Sequence, residues 1–373
     1  MYFSLEPKSA REDLYGRDKE LNELEKAKEN GGVIVLTGLR RIGKTSLLQV
    51  FLEERKSQGD IYAFLDCRSF VRNNRISRGG FDLAFSASLD KTIENKKLRI
   101  IRKAVSKIET LKTPVGEFGI SKPGEVNLNI FQKLDDINQA LNKAGKKLII
   151  AFDEAQNLRF YGKGGYVILN LLAHAYDHLK NIIFILTGSE VGLLYDFLKL
   201  DNPKAPMYGR YVNEISLERF TQKDSINFLI EGFKQLGIEP KKEEIEKAVD
   251  MLDGIVGYLV IYGRVVSSKG DYKGALEDAT KMAEDLIRFE IEELIKRSEN
   301  YRNVLKAVAF GMENFSHIRE YIKLHYGAIT DQSLSNNINS LVKQCFLEYK
   351  YNDGSKVYMI PDPILKKIAL SLR

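Results

Sequence analysis

Residues 33–46, VIVLTGLRRIGKTS, constrain this chain more than any other stretch. VIVLTG is a short, apolar, β-branched run, the pattern of a buried strand. TSLLQVFLEERKSQG reads as a helix closed by Gly59. Between them, Gly38-Leu39-Arg40-Arg41-Ile42-Gly43-Lys44-Thr45-Ser46 fits G-x-x-x-x-G-K-[ST] in full. Gly38 and Gly43 let the backbone curl until its N–H groups point at phosphate oxygens. The helix from Thr45 adds its positive dipole end. Lys44 can reach the β- and γ-phosphates, and the Thr45 hydroxyl suits Mg²⁺. The candidate nucleotide-binding set is therefore Gly38, Arg41, Ile42, Gly43, Lys44, Thr45 and Ser46, with ATP or ADP and Mg²⁺ as the expected ligands.

Three further apolar runs read as buried strands: IYAFLD (61–66), the run in KKLIIAFDEAQ (146–156) and NIIFILTGSE (181–190). Strands alternating with helices imply right-handed crossovers and a parallel sheet. Asp153 and Glu154 end the third of the four strands. A carboxylate at that tip can hold Mg²⁺ through water, and the next one can take a proton from an attacking water. Asp153 is thus the candidate metal anchor beside Thr45, and Glu154 the candidate base. Thr187 and Ser189 end the fourth strand, where either hydroxyl could hold that water or a γ-phosphate oxygen; plain turn hydroxyls are the alternative. Arg210, in Pro206-Met207-Tyr208-Gly209-Arg210, could bring positive charge to the transition state or stand as a surface arginine. Gly16-Arg17 precede the first strand, where a base or ribose could rest. No expected strand ends in a D-x-x-G switch and no N-K-x-D base reader occurs, which disfavours a GTPase.

The net charge of +6 is uneven. Residues 66–125 carry 13 Lys/Arg against 7 Asp/Glu, a surplus equal to the whole net charge. A solvated surface is one reading of this segment, and a polyanion contact the other. Within it, a basic helical stretch is expected near 89–112. A hairpin is expected around Lys122-Pro123-Gly124, with helix resuming at 131–144. Cys67 and Cys345 sit in no CxxC pattern and read as reduced thiols. His174 and His178 have i, i+4 spacing but no evident third ligand, so a solvated helix face is expected. No apolar run is long enough to span a membrane, and MYFSLEPKSARED lacks a signal core, so a cytoplasmic protein is expected.

After Leu217 the pattern is helical. Thr221–Asp224 looks like a capping box opening a helix at 222–236. A helix between Pro240 and Gly254 follows, then helices near 256–268 and 274–297. Helices near 301–311, 316–325 and 333–344 precede FLEYKY-NDGS-KVYMI, two alternating strands around Asp353-Gly354. Three helices and a hairpin are the winged-helix order. Helix 333–344 buries Leu334, Ile338, Leu341 and Val342 and leaves a Ser/Asn/Lys face that includes Lys343. Residues 286–373 carry 13 Lys/Arg against 10 Asp/Glu, a modest surplus for a DNA reader.

LYGRDKELNELEK, TGLRRIGKTSLL, LIIAFDEAQN, FILTGSEVGLL and PMYGR together resemble the archaeal ATPase family, in the STAND branch of the AAA+ P-loop ATPases. The resemblance covers most of the chain. It implies an α/β P-loop NTPase parallel-sheet sandwich of strand order 5-1-4-3-2, with a helical lid and a C-terminal winged helix. By position, Gly16-Arg17 match the family's N-terminal hhGR-x-x-E motif, Ser189 its sensor 1 and Arg210 its Gly-Arg arginine. The lid motif Gly-x-Pro is altered, since Gly254-Ile255-Val256 carries valine where the proline stands, and Arg264 is the one candidate for sensor 2. The expected division is a core to 212, a lid over 213–290 and a winged helix over 291–373. The expected function is an ATP-hydrolysing switch. Its winged helix, or the basic 66–125 segment, would touch DNA. The alternative is a signalling or defence-type switch whose winged helix meets only protein. Assembly of several copies with ATP fits either.

Overall fold

The computed structural model describes residues 1–93 and 125–372. The basic residues Arg99, Arg102 and Lys103, and most of the expected 89–112 helix, lie outside the described residues. A parallel sheet of five strands forms its centre: β1 (Gly32–Gly38), β2 (Ile61–Asp66), β5 (Leu148–Asp153), β6 (Ile182–Thr187) and β7 (Val212–Leu217). Their order is β2-β5-β6-β1-β7, which is 5-1-4-3-2 counted over these five strands. β7 carries few apolar residues, with burial confined to Ile215 and Leu217 among VNEISL, so periodicity alone passes over it.

Alternation along the strands divides the apolar side chains between two faces. Val33, Val35, Leu148, Ile150 and Phe152 meet α3 (Arg78–Ile93), α4 (Glu125–Ala144) and α5 (Tyr166–His178). Ile34, Leu36, Ile149, Ala151, Ile183 and Ile185 meet α1 (Asp18–Asn30) and α2 (Lys44–Ser57). The result is a three-layer sandwich, the usual way to cover both sides of a parallel sheet. A short antiparallel pair, β3 (Val71–Arg72) and β4 (Arg75–Ile76), follows β2. Of the hairpin expected around Lys122-Pro123-Gly124, the turn and first run lie outside the described residues, and residues 125–130, the second run, are the first part of α4. Ile130 extends the apolar stripe of Leu134, Ile137 and Leu141.

A short helix α6 (Val191–Leu198) precedes β7, and after β7 come α7 (Gln222–Gln235), α8 (Lys242–Leu252), α9 (Val256–Lys269) and α10 (Ala275–Ile295). Thr221 caps α7 by accepting from the Asp224 N–H at 3.1 Å. Three helices follow, α11 (Glu299–Ala309), α12 (Phe315–Tyr326) and α13 (Asp331–Lys343), then the hairpin β8 (Glu348–Asn352) and β9 (Ser355–Met359) and a last helix α14 (Pro363–Ser371). One apolar core joins α7–α14, from Phe228 through Ile287 and Leu305 to Ala369, so these helices pack as one body. Phe3 is plugged into it, fully buried, and the missing side chains of Gly232 and Gly263 make room for its ring. α10 runs across residue 290, joining the stretches on either side.

Candidate functional site

The carboxyl ends of β1, β5 and β6 bring Gly38, Asp153 and Thr187 to one edge of the sheet. This is where open α/β sheets hold ligands. Gly38 has φ 138° and Gly43 φ 100°. A Cβ on Gly38 would lie 2.6 Å from the Leu217 carbonyl oxygen, so only glycine fits that close approach. α2 begins at Lys44, and its first N–H groups open toward the loop. The Lys44 ammonium is buried and donates to the Gly38 and Leu39 carbonyls at 2.8 and 2.7 Å. Burial pushes its pKa down to about 8, against the pull of Glu154 and Asp153. A buried cation under a glycine-kinked loop at a helix N-terminus makes a phosphate cradle.

Asp153 is buried at the end of β5 and accepts from Thr45 Oγ1 at 3.0 and 3.3 Å and from the Thr187 hydroxyl. Glu154 follows with φ 53°, in the left-handed conformation. Gln156 Nε2 and Ser189 Oγ donate to Glu154 Oε2 at 2.6 and 2.8 Å, and the Ser189 N–H adds a third bond at 3.2 Å. All three hydrogen bonds meet one oxygen. Burial raises the Asp153 carboxyl, and the charge of Glu154 adds to that; the hydroxyls of Thr187 and Thr45 oppose it. Burial works on Glu154 in the same direction, but Gln156, Lys44 and Ser189 outweigh it and hold the group below its ordinary value. Adjacent carboxyls pushed in opposite directions can take different roles. The Thr45 hydroxyl beside the Asp153 carboxylate is an oxygen pair that suits a small hard cation such as Mg²⁺.

Gly16-Arg17 also come to the loop. Arg17 donates to the Ile42 carbonyl at 3.3 Å and to that of Glu218 at 2.8 Å, pairs with Glu20 at 2.8 Å, and lies over the Phe220 ring. Val256, at the start of α9, packs against Gly43: a Cβ there would meet it at 3.4 Å. Arg264, the sensor 2 candidate, is exposed more than two turns further along α9. Ser46 Oγ, by contrast, accepts from the Lys8 N–H at 3.1 Å on the other side of the loop.

Arg210 is not brought to this edge. It precedes β7, whose first residue Val212 pairs with Val33 near the start of β1. The length of a six-residue strand, roughly 20 Å, separates it from the loop. There it forms a forked ion pair with Asp177, at 3.1 and 2.5 Å, and donates to the Pro206 carbonyl. A role for Arg210 toward a phosphate in its own chain is therefore corrected by the topology. Lys343 is exposed as expected, but it is not unpartnered. Its ammonium pairs with Asp196 of α6 at 2.7 Å, and Gly192 lies against its backbone, so the end of the α13 face is turned onto the core. Val342 is only half-buried, while Asn336 and Asn339 stay exposed. His174 bonds Asp135 at 2.8 Å, and His178 is exposed beside it; no group of three metal-ligating side chains occurs among the described residues. Both thiols are free, and burial raises both. No helix among the described residues is long and apolar enough to cross a membrane.

Residue-by-residue reading missed Gln156, Glu190, Glu290 and the use of Arg40. Arg40 pairs with Glu190 at 2.9 Å and with Glu290 of α10 at 2.8 Å, and Arg41 reaches the other Glu290 oxygen at 2.6 Å. The signal for the arginines was present in the sequence: two neighbouring cations inside a phosphate loop. The signal for Glu290 was not, since it lies 250 residues away.

A parallel sheet of this order with this cradle defines the P-loop nucleoside-triphosphatase fold. The chain belongs to the ATPase family found predominantly in Archaea, whose model matches residues 14–261. Among solved structures, the Walker-type ATPase of Pyrococcus abyssi is 36% identical, each chain covered in full, with a TM-score of 0.82. The ORC2 protein of Aeropyrum pernix, solved with ADPNP and ADP, shares the fold at 14% identity and a TM-score of 0.61, over 98% of this chain and 95% of that one. An ATP-binding protein of Methanocaldococcus jannaschii is 23% identical over 81% of this chain and 87% of its own.

Proposed function

We propose that this chain binds ATP with Mg²⁺, hydrolyses it to ADP and phosphate, and uses the cycle as a conformational switch. The observation that carries this reading is the meeting of Thr45, Asp153 and Glu154 at one strand edge beside Lys44. Thr45 and Asp153 would hold Mg²⁺, whose charge offsets that of the phosphates. The loop N–H groups of Gly38–Ser46 and the Lys44 ammonium bind the β- and γ-phosphates. Arg17, tied to the Ile42 carbonyl, borders the base or ribose. Glu154, its Oε2 pinned by Gln156 and Ser189, accepts the proton of the attacking water with Oε1. The water oxygen bonds to the γ-phosphorus, the bond to the β-phosphate oxygen breaks, and ADP leaves with that electron pair. Ser189 keeps the base in line. Arg210 serves only across an interface, at the loop of a second copy.

In this reading the chain divides into an ATPase core to 212, a lid over 213–290 and a winged helix over 291–373, as in a STAND switch. The contact of Lys343 and Gly192 between α13 and α6 favours a winged helix that answers to protein surfaces over one that reads DNA. The test is ATP turnover with Mg²⁺ and with chelator, alone and with duplex or single-stranded DNA. Turnover that needs Mg²⁺, is lost in Lys44→Ala and ignores DNA supports the protein-contact switch. Stimulation by DNA moves the partner to nucleic acid, and turnover unchanged in Lys44→Ala removes the ATPase reading.

A further inference from the structure

We propose that Arg40 is the residue by which this chain tells a nucleoside triphosphate from a diphosphate. Its guanidinium, parked on Glu190 and Glu290, exchanges those carboxylates for the γ-phosphate and so loosens the phosphate loop from α10. This rests on the reading of the loop as an ATP site.

The place of Arg40 is the first argument. The Lys44 ammonium sits against the carbonyls of Gly38 and Leu39, and Arg40 is the next residue of the loop. It is close enough that its charge works against that of Lys44. Among the described residues, Arg210 is held at the far edge of the sheet and Arg264 lies further along α9. Arg68, whose charge also reaches Asp153 and Glu154, is held in a fork on Asp66 at the end of β2, so Arg40 is the neighbour of Lys44 within the loop that can turn.

Its partners are the second argument. Glu190 immediately follows Ser189, which holds the base, and Glu290 belongs to α10. Both ion pairs are partly exposed, with side-chain exposures of 27% for Arg40, 15% for Glu190 and 30% for Glu290. Water reaches all three groups, which lowers the cost of parting them. A guanidinium fork on a phosphate makes two charged hydrogen bonds to a group of higher charge and wins the exchange. Beside Arg40 opens a crevice lined by Leu39, Ile287, Glu290, Cys345 and Phe346, with the guanidinium 4.9 Å from the Phe346 ring centre. So one side chain touches the loop, the lid and the segment after α13.

The contrast with Arg41 is the third. Its carbonyl accepts from the Gly257 N–H at 2.9 Å, and its side chain is set among Tyr258, Asp362 and Glu290. A Cβ on Gly257 would lie 2.8 Å from the Arg41 Cβ. Arg41 is an anchor built into the packing, whereas Arg40 has only carboxylates and one ring to leave.

The experiment is calorimetric binding of ADP and of a non-hydrolysable ATP analogue, both with Mg²⁺, to the full chain. Arg40→Ala should weaken the triphosphate analogue by about tenfold or more, a coupling of ordinary size, and ADP by less than about twofold on the same scale. Arg40→Lys should restore part of the loss. Glu290→Gln should tighten the triphosphate several-fold, leave ADP unchanged, and do neither in the Arg40→Ala background. Equal weakening of both nucleotides in Arg40→Ala and Arg40→Lys, as expected of Arg41→Ala, overturns the proposal. So does a Glu290→Gln effect that persists without Arg40. A wild-type chain that binds neither nucleotide fails the ATP-site reading itself and is told apart by that control. Thermal melts of each variant separate lost binding from lost folding.

Discussion

Glu154 sits in a left-handed backbone conformation, φ 53°, that a glutamate adopts at a cost. What holds it there is local and specific: its N–H donates to Thr187 Oγ1 at 3.0 Å, and its carbonyl accepts from Asn157 Nδ2 at 3.0 Å. The carboxylate is then fixed by Gln156 and Ser189. In the proposed role, a carboxylate held so firmly would need no rearrangement before it took a proton, and its lowered pKa keeps it ionised near neutral pH. Glu154→Gln should therefore keep ATP affinity while slowing single-turnover hydrolysis by roughly 10²–10⁴-fold, the reach of general-base catalysis. A rate within a few-fold of wild type, by rapid quench, would move the base to another residue. The sequence placed Asp153 and Glu154 at a strand end; it could not say that one hydroxyl, Thr187, would serve both neighbours.

At the scale of elements, two of the contacts that join the helical body to the rest lend themselves to mutation. Phe3 stacks edge-on against Phe228 and Phe233, with centroids 5.7 and 5.0 Å away, and fills the space beside Gly232 and Gly263. Phe3→Ala should cost about 3–5 kcal/mol of unfolding free energy, the loss for a buried phenylalanine whose site cannot collapse. Urea unfolding checks it, and a loss below about 1 kcal/mol would mean the helices close over the gap. α6 and α13 meet through Gly192, where a Cβ would lie 2.6 Å from the Lys343 Cα. Backbone cannot yield as a flexible side chain can. Gly192→Val should push α13 off α6, lower stability by about 1–3 kcal/mol, and expose the linkage to limited proteolysis. Unchanged melting and cleavage would show that α13 is already apart from the core in solution. The helices themselves were legible because their apolar stripes recur at helical spacing and Thr221 and Asp224 announce a cap. α14 was not read, although Asp362 caps it by accepting from the Ile364 and Leu365 N–H groups.

At the scale of the molecule, the position of Arg210 sets a question of assembly. It stands at the amino edge of the sheet, on the surface beside Asp177, about a strand's length from its own phosphate loop. If it acts, it acts on a neighbour. Arg210→Ala and Glu154→Gln proteins, each inactive alone, should recover some ATP turnover when mixed, because one interface in such a mixture joins an intact arginine to an intact base. Sedimentation with the ATP analogue should show association in parallel. A mixture that stays inactive, in a protein that stays monomeric with the analogue, would leave Arg210 a structural ion pair.

The strand, the phosphate loop, its helix and the paired carboxylates are local patterns. Each is set by a handful of neighbouring residues whose spacing matches one backbone period or one ligand, and so Gly38–Ser46, Asp153 and Glu154 could be read from the sequence alone. β7 and the strand order came from resemblance rather than from periodicity, because a strand with few buried positions leaves little trace. Only the tertiary structure decided which cations face the loop. Arg210 and Arg40 are alike as residues, and their difference arises from where β7 begins and where α10 passes. Glu290 meets Arg40 across 250 positions, and no local spacing encodes such a meeting. It follows from the packing of α10 into one core with its neighbouring helices, which is a property of the whole sequence at once.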